Sequence, residues 1–158
     1  MGDTVRFALL GPVAVGADGE APVPQPAGIP SSALSVLLLH ANQVVPRERL
    51  AAAVWGEEQP AASAAGLRNH VSRLRRQLGV PIGERVRTIA PGYRIDVRDG
   101  ELDVPLFLDG CARGRQALAE GDLRTARDLL GDALALWRGD PLSELPSTPE
   151  LTARVHHW

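Results

Sequence analysis

Arg68, Arg73, Arg75 and Arg76 lie within one short stretch, with Asn69 beside the first of them, and no Asp or Glu occurs between Glu58 and Glu84. A guanidinium pairs bidentately with phosphate or with the guanine edge, and a carboxamide pairs in the same way with adenine. Such a cluster with no acid among it is chemistry for a polyanion, above all double-stranded DNA. Catalysis has no comparable support. There is no Gly-x-Ser-x-Gly, no phosphate loop, no His/Cys cluster and no catalytic pair of acids, so the chain is expected not to be an enzyme. His40, His70, His156 and His157 have no metal-ligand spacing, and the one cysteine, Cys111, allows neither an intrachain disulfide nor a thiolate cage. No metal or other cofactor is expected.

The basic residues need a carrier. Leu67, Val71, Leu74 and Leu78 recur at i, i+4, i+7 and i+11, which predicts a helix within Gln59–Gly79 with one narrow apolar stripe. Pro60 lies before its start and Gly79 stops it. With the stripe turned inward, Arg68, Asn69, Ser72, Arg73 and Arg76 face outward. His70, Ser72 and Arg75 suit contacts to phosphate, which position a protein without reading sequence.

The flanking segments predict a scaffold for that helix. Val5–Leu10 reads as a strand, and Val13–Val15 and Ala21–Val23 flank Ala17-Asp18-Gly19-Glu20, where Asp-Gly signals a hairpin. An apolar helix follows from about Ala33, capped by Ser31 or Ser32, buried on all sides and stopped near Asn42. Val44-Val45 forms a short bridge. A second helix runs Pro46–Trp55, with Leu50, Ala53 and Val54 inward, and Glu57–Pro60 is a loop. Two short helices leading to a basic third is helix-turn-helix order. Arg85–Ile89 and Tyr93–Val97 alternate with period 2 about Ala90-Pro91-Gly92, which predicts a hairpin wing carrying Arg87, Thr88 and Arg94 toward the nucleic-acid backbone. Arg47, opening the second helix, is a further candidate for a phosphate.

The fold expected is therefore α+β, with a winged helix-turn-helix over residues 1–98. Beyond Asp99-Gly100 the chain turns helical. Val104, Phe107, Leu108 and Cys111 line one helix face. A second helix, Leu123–Trp137, turns Ala126, Leu129, Leu130, Ala133, Leu134 and Trp137 inward. Two such helices joined at Gly121-Asp122 form an αα-hairpin of tetratricopeptide-like pattern, which needs stacked neighbours. Glu150–Trp158 begins a further helix. Residues 99–158 are thus read as a helical domain that is incomplete or covered by a partner.

Charge divides along the same line. Residues 1–98 carry 11 Arg against 8 acids and residues 99–158 carry 6 against 11, so a net −2 conceals a basic half and an acidic half. No apolar run approaches membrane-spanning length, no signal-peptide pattern opens the chain, and cysteine is nearly absent, so a cytoplasmic setting without membrane contact is expected.

Ala53-Val-Trp-Gly-Glu-Glu-Gln-Pro60, His70-Val-Ser-Arg-Leu-Arg-Arg-Gln-Leu-Gly79 and Pro91-Gly-Tyr-Arg-Ile95 resemble the OmpR-type winged-helix DNA-binding domain. Ala133-Leu-Ala-Leu-Trp-Arg-Gly-Asp-Pro-Leu142 resembles the bacterial transcriptional activation domain. The combination is similar to the SARP family, the Streptomyces antibiotic regulatory proteins. That resemblance implies a sequence-specific activator of secondary-metabolite genes that binds direct repeats in promoters as a head-to-tail dimer and recruits RNA polymerase, including its sigma factor. It also turns Asn69 and Arg73 toward base edges, leaving Arg68, His70, Ser72, Arg75, Arg76, Arg87, Thr88, Arg94 and Arg47 for the backbone. The chain departs from many relatives at Ser31-Ser32, where they carry basic residues, and at Ala90, where some of the broader class carry Arg at the wing tip. The competing reading is a protein-interaction module that uses the winged helix and acidic hairpin without sequence-specific DNA binding.

Overall fold

The computed structural model describes residues 5–17, 19–56 and 63–158. Asp18 of the expected turn, the Glu57–Pro60 loop and the expected start of the basic helix just after Pro60 lie outside the described residues.

Three strands, β1 (Val5–Ala8), β2 (Ala14–Ala17) and β3 (Val23–Pro24), form an antiparallel sheet in that order. Phe7 pairs with Val15, and Val15 in turn with Val23. The Glu20 N–H donates to the Ala17 carbonyl at 2.9 Å, with Gly19 at φ +83°. β1 ends two residues sooner than Leu10, because the N–H groups of Leu9 and Leu10 turn to a side chain, the Asp103 carboxylate.

The first helix, α1 (Ile29–Leu39), starts four residues before Ala33, and neither Ser31 nor Ser32 caps it. Gly28 occupies the cap position and Pro30 the first turn, where a missing N–H costs nothing and the fixed φ suits a helix. Both serines therefore lie inside the helix. The Ser32 hydroxyl donates to the Glu144 carbonyl at 2.9 Å and the Ser35 hydroxyl to the Glu144 carboxylate. Pro30 through Leu38 is buried without a break, as an all-round apolar helix requires.

The second helix, α2 (Arg47–Trp55), buries Leu50, Ala51 and Val54. Ala51 thus takes the fully buried place expected of Ala53, which is only half-buried. Pro46 stands at its cap and also in β4 (Val45–Pro46). The third helix, α3 (Ser63–Leu78), packs on α1 and α2. Leu67, Val71 and Leu74 are fully buried and Leu78 packs against the same core. Each of the three contributes on the order of 1.5–3 kcal/mol of apolar burial.

After a 3₁₀ turn (Ile82–Arg85), β5 (Val86–Ile89) and β6 (Gly92–Ile95) form the wing, and β4 joins them in the order β4-β6-β5. A side chain at Gly92 would collide with the Val45 carbonyl. Glycine there is what lets the root of α2 lie against the wing. Arg85 belongs to the 3₁₀ turn rather than to the strand.

The helical part comprises α4 (Asp103–Ala119), α5 (Leu123–Ala135) and α6 (Pro149–His157). Asp122 caps α5 by accepting from the Thr125 N–H at 3.1 Å. α4 and α5 approach closely because small residues meet: the Ala133 side chain lies on Gly110, and Leu130 lies over Gly114. The buried stripe of α5 consists of Ala126 and Ala133, with Leu129 and Leu130 half-buried. Leu134 and Trp137, expected inward, are exposed at 65% and 36%. One neighbouring helix covers only the alanine stripe, and the α-helix ends at Ala135, beyond which Trp137 packs edge-to-face with Phe107, ring centroids 5.5 Å apart.

A single apolar cluster runs from Val5 and Phe7 through Leu34, Leu37 and Leu74 to Phe107, Cys111, Leu142 and Leu145. Phe7 forms a parallel bridge with Leu102. Asp103 accepts from the Leu9 and Leu10 N–H groups at 2.8 and 2.9 Å. Glu101 pairs with Arg85, and its backbone carbonyl accepts from the Phe7 N–H at 2.6 Å.

Candidate nucleic-acid interface

α3 presents Arg68, Asn69, Ser72, Arg73 and Arg76 to solvent, one turn after another, on the side away from Leu67, Val71 and Leu74. None of the ion pairs between described residues uses any of these arginines. No described acid engages their guanidinium donors, which suits them to an external acceptor. Asn69 and Arg73 stand at i and i+4 on that face, near enough to read adjacent positions of one groove.

The other basic residues of the stretch are placed differently. Arg75 is half-buried. Its Nε donates to the Val86 carbonyl at 2.8 Å and its Nη2 to the Thr88 hydroxyl at 2.8 Å. It therefore ties α3 to the wing. His70 lies half-buried against Trp55 at the end of α2, ring centroids 5.8 Å apart. Arg47 lies 5.9 Å over the Tyr93 ring, and its N–H donates to the Pro91 carbonyl at 3.3 Å, so it joins α2 to the wing turn.

On the wing, Arg87 and Arg94 stand directly opposite one another. Like charges in that register repel, and Asp96 on the same face resolves the conflict, meeting Arg94 at 2.8 Å and Arg87 at 3.1 Å. Because side chains alternate between faces of a strand, Thr88 and the buried Tyr93 face the helices, and Arg87 and Arg94 face away from them. The fold thus gathers Arg68, Asn69, Ser72, Arg73 and Arg76 into one surface, and holds Arg87 and Arg94 on a separate one.

Asp96 and Glu101 were not singled out in the sequence as bearing on this surface. The signal for Asp96 was present: Arg94 and Asp96 are two apart on a strand and so share a face. Glu101 is a long-range partner, buried with Arg85 at side-chain exposures of 7% and 12%. Burial acts to raise its pKa, but hydrogen bonds from the Arg85 side chain and the Arg98 backbone prevail and hold it below the usual carboxylate range. Among the described residues no helix is long and apolar enough to cross a membrane.

Residues 31–95 match the family described as "Transcriptional regulatory protein, C terminal", and residues 102–158 match "Bacterial transcriptional activator domain". The regulatory protein AfsR of Streptomyces coelicolor is 36% identical over 156 residues, covering 96% of this chain and 15% of AfsR. The regulatory protein DnrI of Streptomyces peucetius is 32% identical over 149 residues, covering 89% of this chain and 54% of DnrI. The solved structure of Mycobacterium tuberculosis EmbR, in complex with a low-affinity phosphopeptide, superposes with a TM-score of 0.82 at 31% identity, covering 99% of this chain and 43% of EmbR. The chain thus spans from about one-seventh to about half the length of these relatives. The two matched segments lie in order on one continuous fold with the α3 surface at one side, and the chain belongs to the SARP family of regulatory proteins.

Proposed function

We propose that this chain is the DNA-binding and activating part of a sequence-specific transcriptional activator of secondary-metabolite genes. Residues 1–98 bind the operator and residues 99–158 face the transcription machinery. The observation that carries the reading is the outward face of α3, where Arg68, Asn69, Ser72, Arg73 and Arg76 lie together with no acidic residue in the helix. Asn69 and Arg73 read base edges, and Arg68, Ser72 and Arg76 hold phosphates. Arg75, His70, Thr88 and Arg47 support the surface from behind, any phosphate contact being secondary to the packing they already make. Arg87 and Arg94 form a second basic surface for a neighbouring phosphate. Two copies bind direct repeats head to tail, and the acidic hairpin engages RNA polymerase.

Fluorescence anisotropy on promoter fragments containing direct repeats tests the reading. The expected result is site-specific binding whose affinity falls steeply with salt, by a log–log slope of about −0.9 for each phosphate neutralised. Salt-insensitive binding, or none, overturns it and leaves a protein-interaction module.

A further inference from the structure

Between the end of α1, the outer face of α2 and the start of α6 lies a cleft of about 250 Å³. It is walled by both parts of the chain. Its floor is apolar and includes Val36, Ala53 and Leu151. Arg49 of α2, Arg154 and Glu150 of α6, and His40 at the end of α1 line its polar side.

The charges are unbalanced. None of the ion pairs between described residues includes Arg49, Arg154 or Glu150. The Arg154 Nη1 donates to the Leu39 carbonyl at 3.3 Å, which fixes its guanidinium on the wall while leaving further N–H groups to serve a ligand. Burial, seconded by the nearby Arg49 and Arg154 and opposed by Glu150, holds His40 below its ordinary pKa. Near neutral pH it is therefore an uncharged imidazole that donates at one nitrogen and accepts at the other. Among the described residues that line the cleft, two guanidiniums against one carboxylate leave one positive charge beside an apolar floor.

We propose that this cleft binds a small organic monoanion with an apolar body, a monocarboxylate of about the size of benzoate. Its carboxylate is held by Arg49 and Arg154, and its hydrocarbon part lies on Val36 and Ala53. The size follows from the volume, which is below the roughly 300–1,000 Å³ of sites for drug-sized ligands. The charge follows from the arginine pair, since charge-assisted hydrogen bonds to guanidinium are the strong ones. The site stands independently of DNA binding, because it shares no residue with the α3 surface.

The test is an NMR titration of the chain with benzoate and with benzamide, its uncharged isostere. Benzoate is expected to give saturable shifts at the amides of Ala52, Ala53 and Arg154, with benzamide roughly tenfold weaker, as the loss of a charge-assisted bond predicts. Arg49→Gln, a change at an exposed position, is expected to weaken benzoate by a similar factor. Ala53→Leu fills the floor while keeping both guanidiniums and is expected to abolish binding. Arg113→Gln on α4 leaves it unchanged. Equal binding of benzamide, undiminished affinity in Arg49→Gln or Ala53→Leu, or no saturable shift at millimolar benzoate overturns the assignment.

Discussion

Arg75, on the last turn of α3, donates to the Thr88 hydroxyl of the wing at 2.8 Å and to the Val86 carbonyl at the same distance. Of the arginines on α3 it is the one whose charge is turned inward to hold the fold. Arg75→Ala should therefore destabilise the chain by about 1.5–3 kcal/mol, the range for hydrogen bonds to a charged group. It should also raise hydrogen exchange at the Val86 and Thr88 amides. Urea unfolding with exchange by mass spectrometry checks both. An unchanged midpoint would show that the tie contributes nothing.

Arg73 should behave in the opposite way. It is exposed and holds no ion pair among the described residues, so Arg73→Ala should leave the unfolding midpoint within about 0.5 kcal/mol of wild type. Site-specific DNA binding should fall by roughly 1–3 kcal/mol and binding to random DNA by much less. Equal loss on both DNAs would remove Arg73 from base readout.

Arg76 is the proposed phosphate counterpart. Arg76→Ala should weaken specific and random DNA alike, and reduce the salt slope by about one unit. Anisotropy at several salt concentrations reads this out, and an unchanged slope would place the residue off the DNA.

Asp103 satisfies two buried donors at once. Asp103→Ala strands the Leu9 and Leu10 N–H groups, at a cost of roughly 2–5 kcal/mol for two unsatisfied buried donors. Asp103→Asn keeps one acceptor oxygen and should fall between. Thermal unfolding of the three proteins gives the order.

Acid should act through Glu101. Its folded pKa is held below the ordinary 4.5, burial acting to raise it and the Arg85 and Arg98 hydrogen bonds prevailing. The stabilisation is therefore present above 4.5 and is lost as pH falls through the folded value. Burial raises the Asp103 pKa despite the Leu9 and Leu10 donors, so that group favours folding more as it protonates and cannot cause acid lability. Glu101→Gln should flatten the decline in melting temperature below pH 4.5, and Asp103→Asn should not. The reverse pattern would exclude the Arg85–Glu101 pair as the acid-sensitive contact.

The α3 stripe and the strand alternation of the wing were legible in the sequence because each rests on local periodicity. Leu67, Val71 and Leu74 are buried as their spacing required, and Val86, Ile95 and Tyr93 alternate with Arg87 and Arg94 as a half-buried hairpin must. The start of α1 is not legible in the sequence, because Ser31 and Ser32 look like caps in isolation while Gly28 holds the cap position. Their hydroxyls instead serve neighbours, Ser32 reaching Glu144, more than a hundred residues away. The fates of Leu134 and Trp137 depended on how many helices pack on α5, which helical spacing alone does not contain. Within the candidate surface, the sequence supplied residue types but not allegiance. Arg73 and Arg75 are two residues apart and chemically alike, and only the packing against the wing separates the exposed arginine from the strut.

The helical part is not tethered to the winged helix by a linker. α1 is a wall common to both, with α3 on one side and Glu144 clasped by Ser32 and Ser35 on the other. On the proposed reading, with α3 in the groove, such a molecule would act on DNA as a pointer whose hairpin direction is set by the rotational setting of α3. That reading predicts that activation depends on helical phase. Shifting an operator by about 5 bp, half of a 10–10.5 bp turn, should swing the hairpin to the far side of the duplex and reduce transcription, and shifting it by a full turn should restore it.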